Sequence, residues 1–433
     1  MRDLLLKNFI RISNIPRESG NEKMIASFFV NVAKKNNLYY YKDKYNNVLI
    51  RKKGNINKPS IGIQAHLDMV CIKDENSTHD FKKDPIEVIV DGDVVKAKGT
   101  SLGADQGVGL AMMLTLIEDN ELYAPDLEFI FTVEEETNFN GADTFPYHLL
   151  TTKQIINLDS CNDNVVYIGS EADISNEYIY NFHYIETNLP TYKIEINTNC
   201  GGNSGEYIEE SKNNAIYKAF EILENRNVHI ISVFGGINED DIANNCIIEF
   251  ATDENISDID YKIVKIDKKY AINFNDSQEL IKNILLMKSG FIGNSGISAN
   301  LGYIETTDKQ IRFYYLMRSK DEKTLSNYNN YLYFQTKKLT CNEMYSDNCF
   351  INKRDSKLLK KYKSLYKEIY KEDVVEEICT GGIECAVISN KIADLDIISI
   401  GSNVNYFHTT VEETYISSWE KIYKILLNLL LTN

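Results

Sequence analysis

The chain has 433 residues, 43% hydrophobic and 25% charged. These are the proportions of an ordinary globular protein of about two to three domains, and they exclude wholesale disorder. Lys plus Arg number 47 against 63 Asp plus Glu, a net charge of −16, so there is no excess of cations to release counterions from a phosphate backbone, which argues against nucleic acid and anionic membrane as partners.

In chain order, the opening run MRDLLLKNFIRIS is interrupted by Lys7 and Arg11, too early for the core of a signal peptide. Ser19-x-x-Glu22 reads as a capping box that opens a helix with Met24, Ile25, Phe28, Phe29 and Val32 on one face. Asn47 to Arg51 and Ile61 to Met69 read as strands, the second ending in His66-Leu-Asp68. The Gly-rich turn Gly99-Thr-Ser-Leu-Gly-Ala-Asp105-Gln-Gly107 leads into a helix from about Val108 to Asp119. Asp126 to Val133 alternates as a strand and runs into Glu134-Glu135-Glu136, and Ile155 to Leu158 is a strand ending at Asp159. Strands alternating with helices predict an α/β sheet with helices on both faces. In such sheets functional groups collect beyond the carboxyl ends of the strands, where His66, Asp68, Glu135, Glu136 and Asp159 fall.

Near residue 188 the pattern changes. Tyr192 to Asn197 is a strand, the turn Cys200-Gly-Gly-Asn-Ser-Gly205 precedes a helix of about Lys212 to Leu223, and strands follow around His229 to Val233, Asn245 to Thr252 and Gln310 to Met317. This predicts an α+β domain over 188–352, inserted into a first domain made of 1–187 and 353–433. A helix with Leu358, Leu359, Tyr362, Leu365, Tyr366 and Ile369 on one stripe returns the chain. A last helix, capped by Ser417-x-x-Glu420, buries Trp419, Ile422, Leu426, Leu429 and Leu430. Apolar runs reach only about seven residues, as in ILLNLLL, where a membrane span needs roughly twenty. The eight cysteines, at 71, 161, 200, 246, 341, 349, 379 and 385, contain no C-x-x-C pair and read as reduced thiols of a cytoplasmic protein.

An H-x-D pair at a strand end points both side chains to one face, and a metal-binding His commonly gives its other ring N–H to a carboxylate. The same pair is equally an ordinary strand end. Asp105 alone reads as an N-cap, and three consecutive acids alone read as a solvated turn. Together the order is H-x-D, G-x-D-x-G, E-E, L-D-S and a late His408, each at a strand end or on a loop beside one. Two His and three carboxylates suit two divalent ions of zinc type with one carboxylate bridging, and a further Glu could serve as base.

Gln64-Ala-His-Leu-Asp-Met-Val70, Thr78-His-Asp-Phe-Lys-Lys-Asp-Pro85 and Gly99-Thr-Ser-Leu-Gly-Ala-Asp-Gln-Gly107 closely resemble the bacterial aminoacyl-histidine dipeptidases. These are co-catalytic dizinc metallopeptidases related to aminoacylase and glutamate carboxypeptidase. The resemblance covers essentially the whole chain, is strongest over 1–170, and returns at Gly382-Ile-Glu384-Cys385 and around His408. It implies that His66, Asp105 and Asp159 hold one Zn²⁺, and that Asp105, Glu136 and His408 hold the other, with Mn²⁺ or Co²⁺ as substitutes. Asp68 would orient His66 and Glu135 would be the general base. The pair is Glu135 and Glu136 because the family's pair stands before Gly-Ala, here Gly141-Ala142. A cis peptide is implied at Asp105-Gln106. The inserted domain would be a lid and the surface of a homodimer, with a small peptide as the partner bound.

The substrate-reading shell departs from the family. Its Gly-Gly-His-Ser-Gly turn is Gly201-Gly-Asn203-Ser-Gly205 here, so Asn203 would replace a histidine that reaches the substrate carbonyl, and a lost oxyanion donor can cost roughly 10²–10³ in rate. The family's Arg-Asn-Ala-Ile-Pro is Glu239-Asp-Asp-Ile-Ala243, and its His-Ala-Gly-Leu-Glu-Cys is Thr380-Gly-Gly-Ile-Glu-Cys385. Arg318 still matches, and Asn203, Arg318 and Glu384 are the substrate-contact candidates. A dizinc dipeptidase is the first expectation. A deacylase or carboxypeptidase on N-acyl amino acids, and a catalytically impaired peptide-binding relative, are the alternatives.

Overall fold

Leu127–Thr132 and Ile61–His66 are buried at every position, as strands covered on both faces are. In the computed structural model, which describes residues 1–199, 201–205, 207–353 and 355–432, they lie side by side and parallel. Gln154–Asn157 joins the other flank of Ile61–His66, also parallel, and Asp396–Ser399 runs parallel beyond it. Tyr39–Lys42 and Val48–Lys52 extend the sheet antiparallel at one side. Val165–Ser170, Phe350–Ile351 and Val375–Cys379 complete it at the other. The result is the mixed central sheet expected of the fold class.

Helices cover both faces because the strand side chains alternate. Phe129 and Phe131 point into a core shared with Phe9, Phe29, Trp419 and Leu426, whereas Ile130 joins Leu49, Ile155 and Ile397 against Cys385, Ala386 and Ile388. The rings of Phe29 and Phe131 lie 4.2 Å apart, and those of Phe9 and Trp419 5.0 Å. Each fully buried side chain of this size contributes about 1.5–3 kcal/mol of burial.

The chain divides into two compact units. The first comprises Met1–Ser170, Phe350–Cys379 and Ile383–Asn433; the second comprises Glu171–Cys349 with Thr380–Gly382. The second is built on an antiparallel sheet in the order Ile263–Ile266, Thr191–Asn197, Asn245–Ala251, His229–Gly236, Ile297–Thr306, Gln310–Ser319, Ala172–Asn181, Thr340–Asp347. Ala215–Leu223, Phe274–Leu286 and Glu322–Gln335 are its longer helices, and Phe220, Phe250, Phe313, Tyr178 and Tyr315 fill its core. Among the described residues no helix is long and apolar enough to cross a membrane. The described cysteines form no disulfide with one another; Cys200 lies outside the described residues.

Two expected caps differ. The helix Lys23–Lys35 has Glu22 at its N-cap with no side-chain cap bond. Ser19 Oγ instead donates to Asp68 Oδ2 at 2.8 Å, and Glu22 accepts from the amides of Gly20 and Glu134. The last helix, Ile416–Thr432, is capped not by Ser417 but by Asp93, which accepts from the Ser417 amide and hydroxyl. At the last helix a carboxylate from elsewhere in the chain takes the cap, and at the earlier one a distant carboxylate draws the Ser19 hydroxyl away from it.

Candidate metal centre

Three neighbouring parallel strands end on one edge of the first unit's sheet. In register, His66 stands beside Thr132, and Gln64 beside Asn157. His66 is therefore the last residue of its strand, Glu135 and Glu136 follow the second, and Asp159 follows the third. Asp105 heads the helix Ala104–Glu118, where its dihedrals (φ −77°, ψ 109°) are not helical, and the Asp105-Gln106 peptide is cis. His408 lies between the short strands Val404–Asn405 and Glu413–Tyr415. Glu134 and His408 both take positive φ, 54° and 60°, a region few non-glycine residues enter and one enriched at functional sites.

The side chains converge. His66 Nε2 is 3.3 Å from Asp105 Oδ1, 3.5 Å from Asp159 Oδ1 and 4.0 Å from Glu135 Oε2. His408 Nε2 is 3.0 Å from Glu136 Oε2 and 3.7 Å from Asp105 Oδ2. One ligand atom from each of His66, Asp105 and Glu136 can be chosen so that all lie within 4.8 Å of one another. Asp68 Oδ1 stands 3.4 Å from His66 Nδ1. Glu134 turns elsewhere, accepting from Asn140 Nδ2 at 2.7 Å.

Charge is dense here. Burial opposes protonation of His66, but the carboxylates of Glu135, Asp159 and Asp105 outweigh it and hold its pKa well above the ordinary value. Burial likewise opposes charge on His408, yet Asp105 and Glu136 raise it to about 11. Burial also opposes ionisation of Asp105, and there the two imidazoles prevail and hold it far below the usual carboxylate range. Burial first, then like charge, raises Glu135, Glu136 and Asp159. A buried cluster of acids that elevate one another is the environment that a divalent cation relieves. Glu136 Oε1 is buried without a hydrogen-bond partner, as a ligand oxygen would be.

The three substrate candidates have different surroundings. Asn203, in the second unit, is exposed and its Oδ1 accepts from the Gly205 amide at 2.8 Å. Arg318 is 4% exposed and is held within the same unit by Ser204 Oγ at 2.8 Å and Asp240 Oδ1 at 3.2 Å. Glu384, in the first unit, is fully buried. Its Oε2 accepts from Thr132 Oγ1 at 2.7 Å and Gln64 Nε2 at 2.5 Å, and burial raises its pKa to about 8.

Sequence reasoning missed several residues that hold this cluster. Gln106 Nε2 donates to Asp159 Oδ1 at 2.5 Å. Asn157 links Gln64 to the Asp159 amide. Arg17, Ser19, Glu22 and Glu412 reach in from distant segments. Ser19 and Glu22 carry the cue of a capping box, which points away from the site, and Glu412, four residues after His408, stands in an acidic pair with Glu413 that carries no sign of its partners.

The chain is similar over nearly its whole length to known peptidases. The model of peptidase family M20/M25/M40 matches residues 62–432. The cytosol non-specific dipeptidase of Escherichia coli K12 is 26% identical, covering 98% of this chain and 96% of that protein. An aminoacylhistidine dipeptidase structure from Vibrio alginolyticus superposes with a TM-score of 0.79 at 23% identity, covering 98% and 96% of the two chains. A Bacillus subtilis structure described as a dinuclear metal binding peptidase gives 0.51 at 12% identity over 99% and 97%.

Proposed function

Because the chain belongs to peptidase family M20/M25/M40, we propose that it is a metal-dependent hydrolase of short unblocked peptides, chiefly dipeptides, with Xaa-His peptides as a candidate class. The observation that carries this reading is Asp105, whose Oδ1 faces His66 while its Oδ2 faces His408. A carboxylate spread between two imidazoles suits the bridging position of a two-ion centre. In this proposal His66, Asp105 and Asp159 would hold one ion, and Asp105, Glu136 and His408 would hold the other. Nitrogen and oxygen donors of this kind suit Zn²⁺, with Mn²⁺ or Co²⁺ as substitutes.

Two such ions, when bound, supply Lewis-acid charge and bring a water's pKa toward neutrality. The chain's own groups do the rest. Glu135 takes a proton from the attacking water and returns it to the leaving amine. Asp68 fixes the His66 ring. Asn203, Arg318 and Glu384 enter the proposal as substrate contacts, Asn203 as the donor to the oxyanion. An inserted domain over 188–352 acting as a lid, and a homodimer formed through it, belong to the same reading on the resemblance; a cytoplasmic location is supported by the cytosol dipeptidase relative.

The test is Glu135→Gln with an unblocked dipeptide. Turnover should fall by roughly 10²–10⁴-fold, the usual worth of a general base, while two ions per chain remain bound. Near-normal turnover in that variant removes the assignment. Release of amino acid from Ala-His but not from N-acetyl-His supports the dipeptidase; the reverse supports a deacylase.

A further inference from the structure

Gly103, two residues before Asp105, is held through both its polar groups by buried charges. Its N–H donates to Glu412 Oε2 at 2.9 Å, and its C=O accepts from Arg17 Nη2. Glu412 also accepts from the amides of Leu102 at 2.7 Å, Ala104 at 2.8 Å and Asp105 at 3.5 Å. Arg17 Nη1 donates to the carbonyls of Leu67, at 3.3 Å, and Asp68. Arg17 and Glu412 are each 2% exposed. Removing a charge from water costs several kcal/mol, and both are committed to the backbone around the metal-centre residues.

The geometry leaves room for nothing else. Gly103 has φ +67°, and a Cβ there would meet Arg17 Nη2 at 2.5 Å and Met69 Sδ at 2.7 Å. The guanidinium spans from the segment that carries His66 and Asp68 to the turn that carries Asp105. The Glu412 carboxylate ties that turn to the segment that carries His408. Hydrogen bonds to charged groups are stronger and more directional than neutral ones, so the two residues act on position and not merely on cohesion.

We propose that Arg17 and Glu412 are positioning residues that clamp the 102–105 turn, Glu412 through its amides and Arg17 through the Gly103 carbonyl, and so set where the Asp105 carboxylate stands between His66 and His408. This rests on the reading of Asp105 as the bridging ligand. The hydrogen bonds of both residues go to main-chain groups of the 67–68 and 102–105 segments. Together they hold three ligand-bearing segments in one register.

The experiment uses the full chain loaded with Co²⁺, with Glu412→Gln, Arg17→Lys and Asp105→Ala as variants. Glu412→Gln places an amide NH₂ against backbone donors, and Arg17→Lys keeps the charge but cannot span both segments. Both should bind the second Co²⁺ 10–100-fold more weakly by chelator competition, the range typical when a ligand's supporting partner is lost. Both should show altered cobalt visible bands and a lower kcat, with KM within about twofold of the parent, an effect on the bound state without loss of substrate binding. Parental cobalt bands, affinity and kcat, with only a lower melting temperature, would overturn the proposal, as would failure of both variants to fold. Retention of two ions by Asp105→Ala would instead overturn the bridging reading on which the proposal stands.

Discussion

Asp68 accepts from Ser19 Oγ at 2.8 Å and from the amides of Glu135 and Glu136 at 3.1 and 3.2 Å, besides facing His66. Burial opposes its charge, but the neighbouring His66, Ser19 and the Glu135 amide outweigh that and hold its pKa below the ordinary carboxylate value. One fully buried carboxylate thus orients an imidazole and the turn bearing two further acids. Asp68→Asn should weaken metal binding 10–100-fold and lower kcat as well, because an amide nitrogen there opposes a backbone N–H. Chelator competition and steady-state kinetics check both. Unchanged metal affinity would confine Asp68 to the turn. At this scale the sequence was informative where partners are local: H-x-D placed Asp68 beside His66 because strand geometry alone sets that pairing. It was silent about Ser19 and Glu22, which looked like a capping box and serve the site instead.

At the scale of elements, helix and turn ends are where local reading lost ground. Asp93 caps the helix from Ile416, and Asp396 accepts the first amides of the helix from Lys357 together with Ser356 Oγ. Glu412 does the same for the 102–105 turn. Each carboxylate comes from another part of the chain, so no window of sequence contains both partners. The strand Ala172–Asn181 was also unread. It is buried at eight of ten positions while carrying Asp173, Ser175, Asn176 and Glu177, so no apolar alternation marks it. In this strand Asp173 stands opposite Asp347 on one side and Arg318 on the other. Burial, with the charge of Asp347, raises its pKa to about 7. An unfolded Asp titrates near 3.9, so between these values the folded chain binds the extra proton. Stability from this group is therefore present at low pH and is lost as pH rises toward about 7, on the order of 2–4 kcal/mol. Asp173→Asn should flatten that part of the pH dependence, giving a higher urea midpoint than the parent at pH 8 and a similar one at pH 4. A parallel shift at both pH values would show that Asp173 is not the titrating group.

For the whole molecule, the net charge of −16 is not spread evenly. Asp68, Asp105, Glu135, Glu136 and Asp159 share one pocket, and two divalent ions there would bring −16 to −12. Their binding should act on stability by mass action, about 1.4 kcal/mol for each tenfold excess of free metal over its dissociation constant. Chelation should abolish turnover and lower the melting temperature while far-ultraviolet dichroism persists, since the hydrophobic cores of both units are built without ligand residues. Added Zn²⁺ or Mn²⁺ should reverse both changes. A melting temperature independent of metal would exclude a two-ion centre in the folded chain.

The pairing of Ser170 with Phe350 has a topological consequence. The chain leaves the first unit and re-enters it on adjacent rungs of one ladder, so the long excursion between them is closed by its own base. Closing a loop costs only about 0.6 kcal/mol more for each doubling of its length. The excursion is thus free to lengthen, shorten or be exchanged with little entropic burden on the sheet, and Asn203 and Glu239 lie within it, whereas His66, Asp105, Glu136, Asp159 and His408 do not. On the proposed roles, the substrate contact at Asn203 could change with the excursion while the candidate metal ligands, all in the first unit, keep their places.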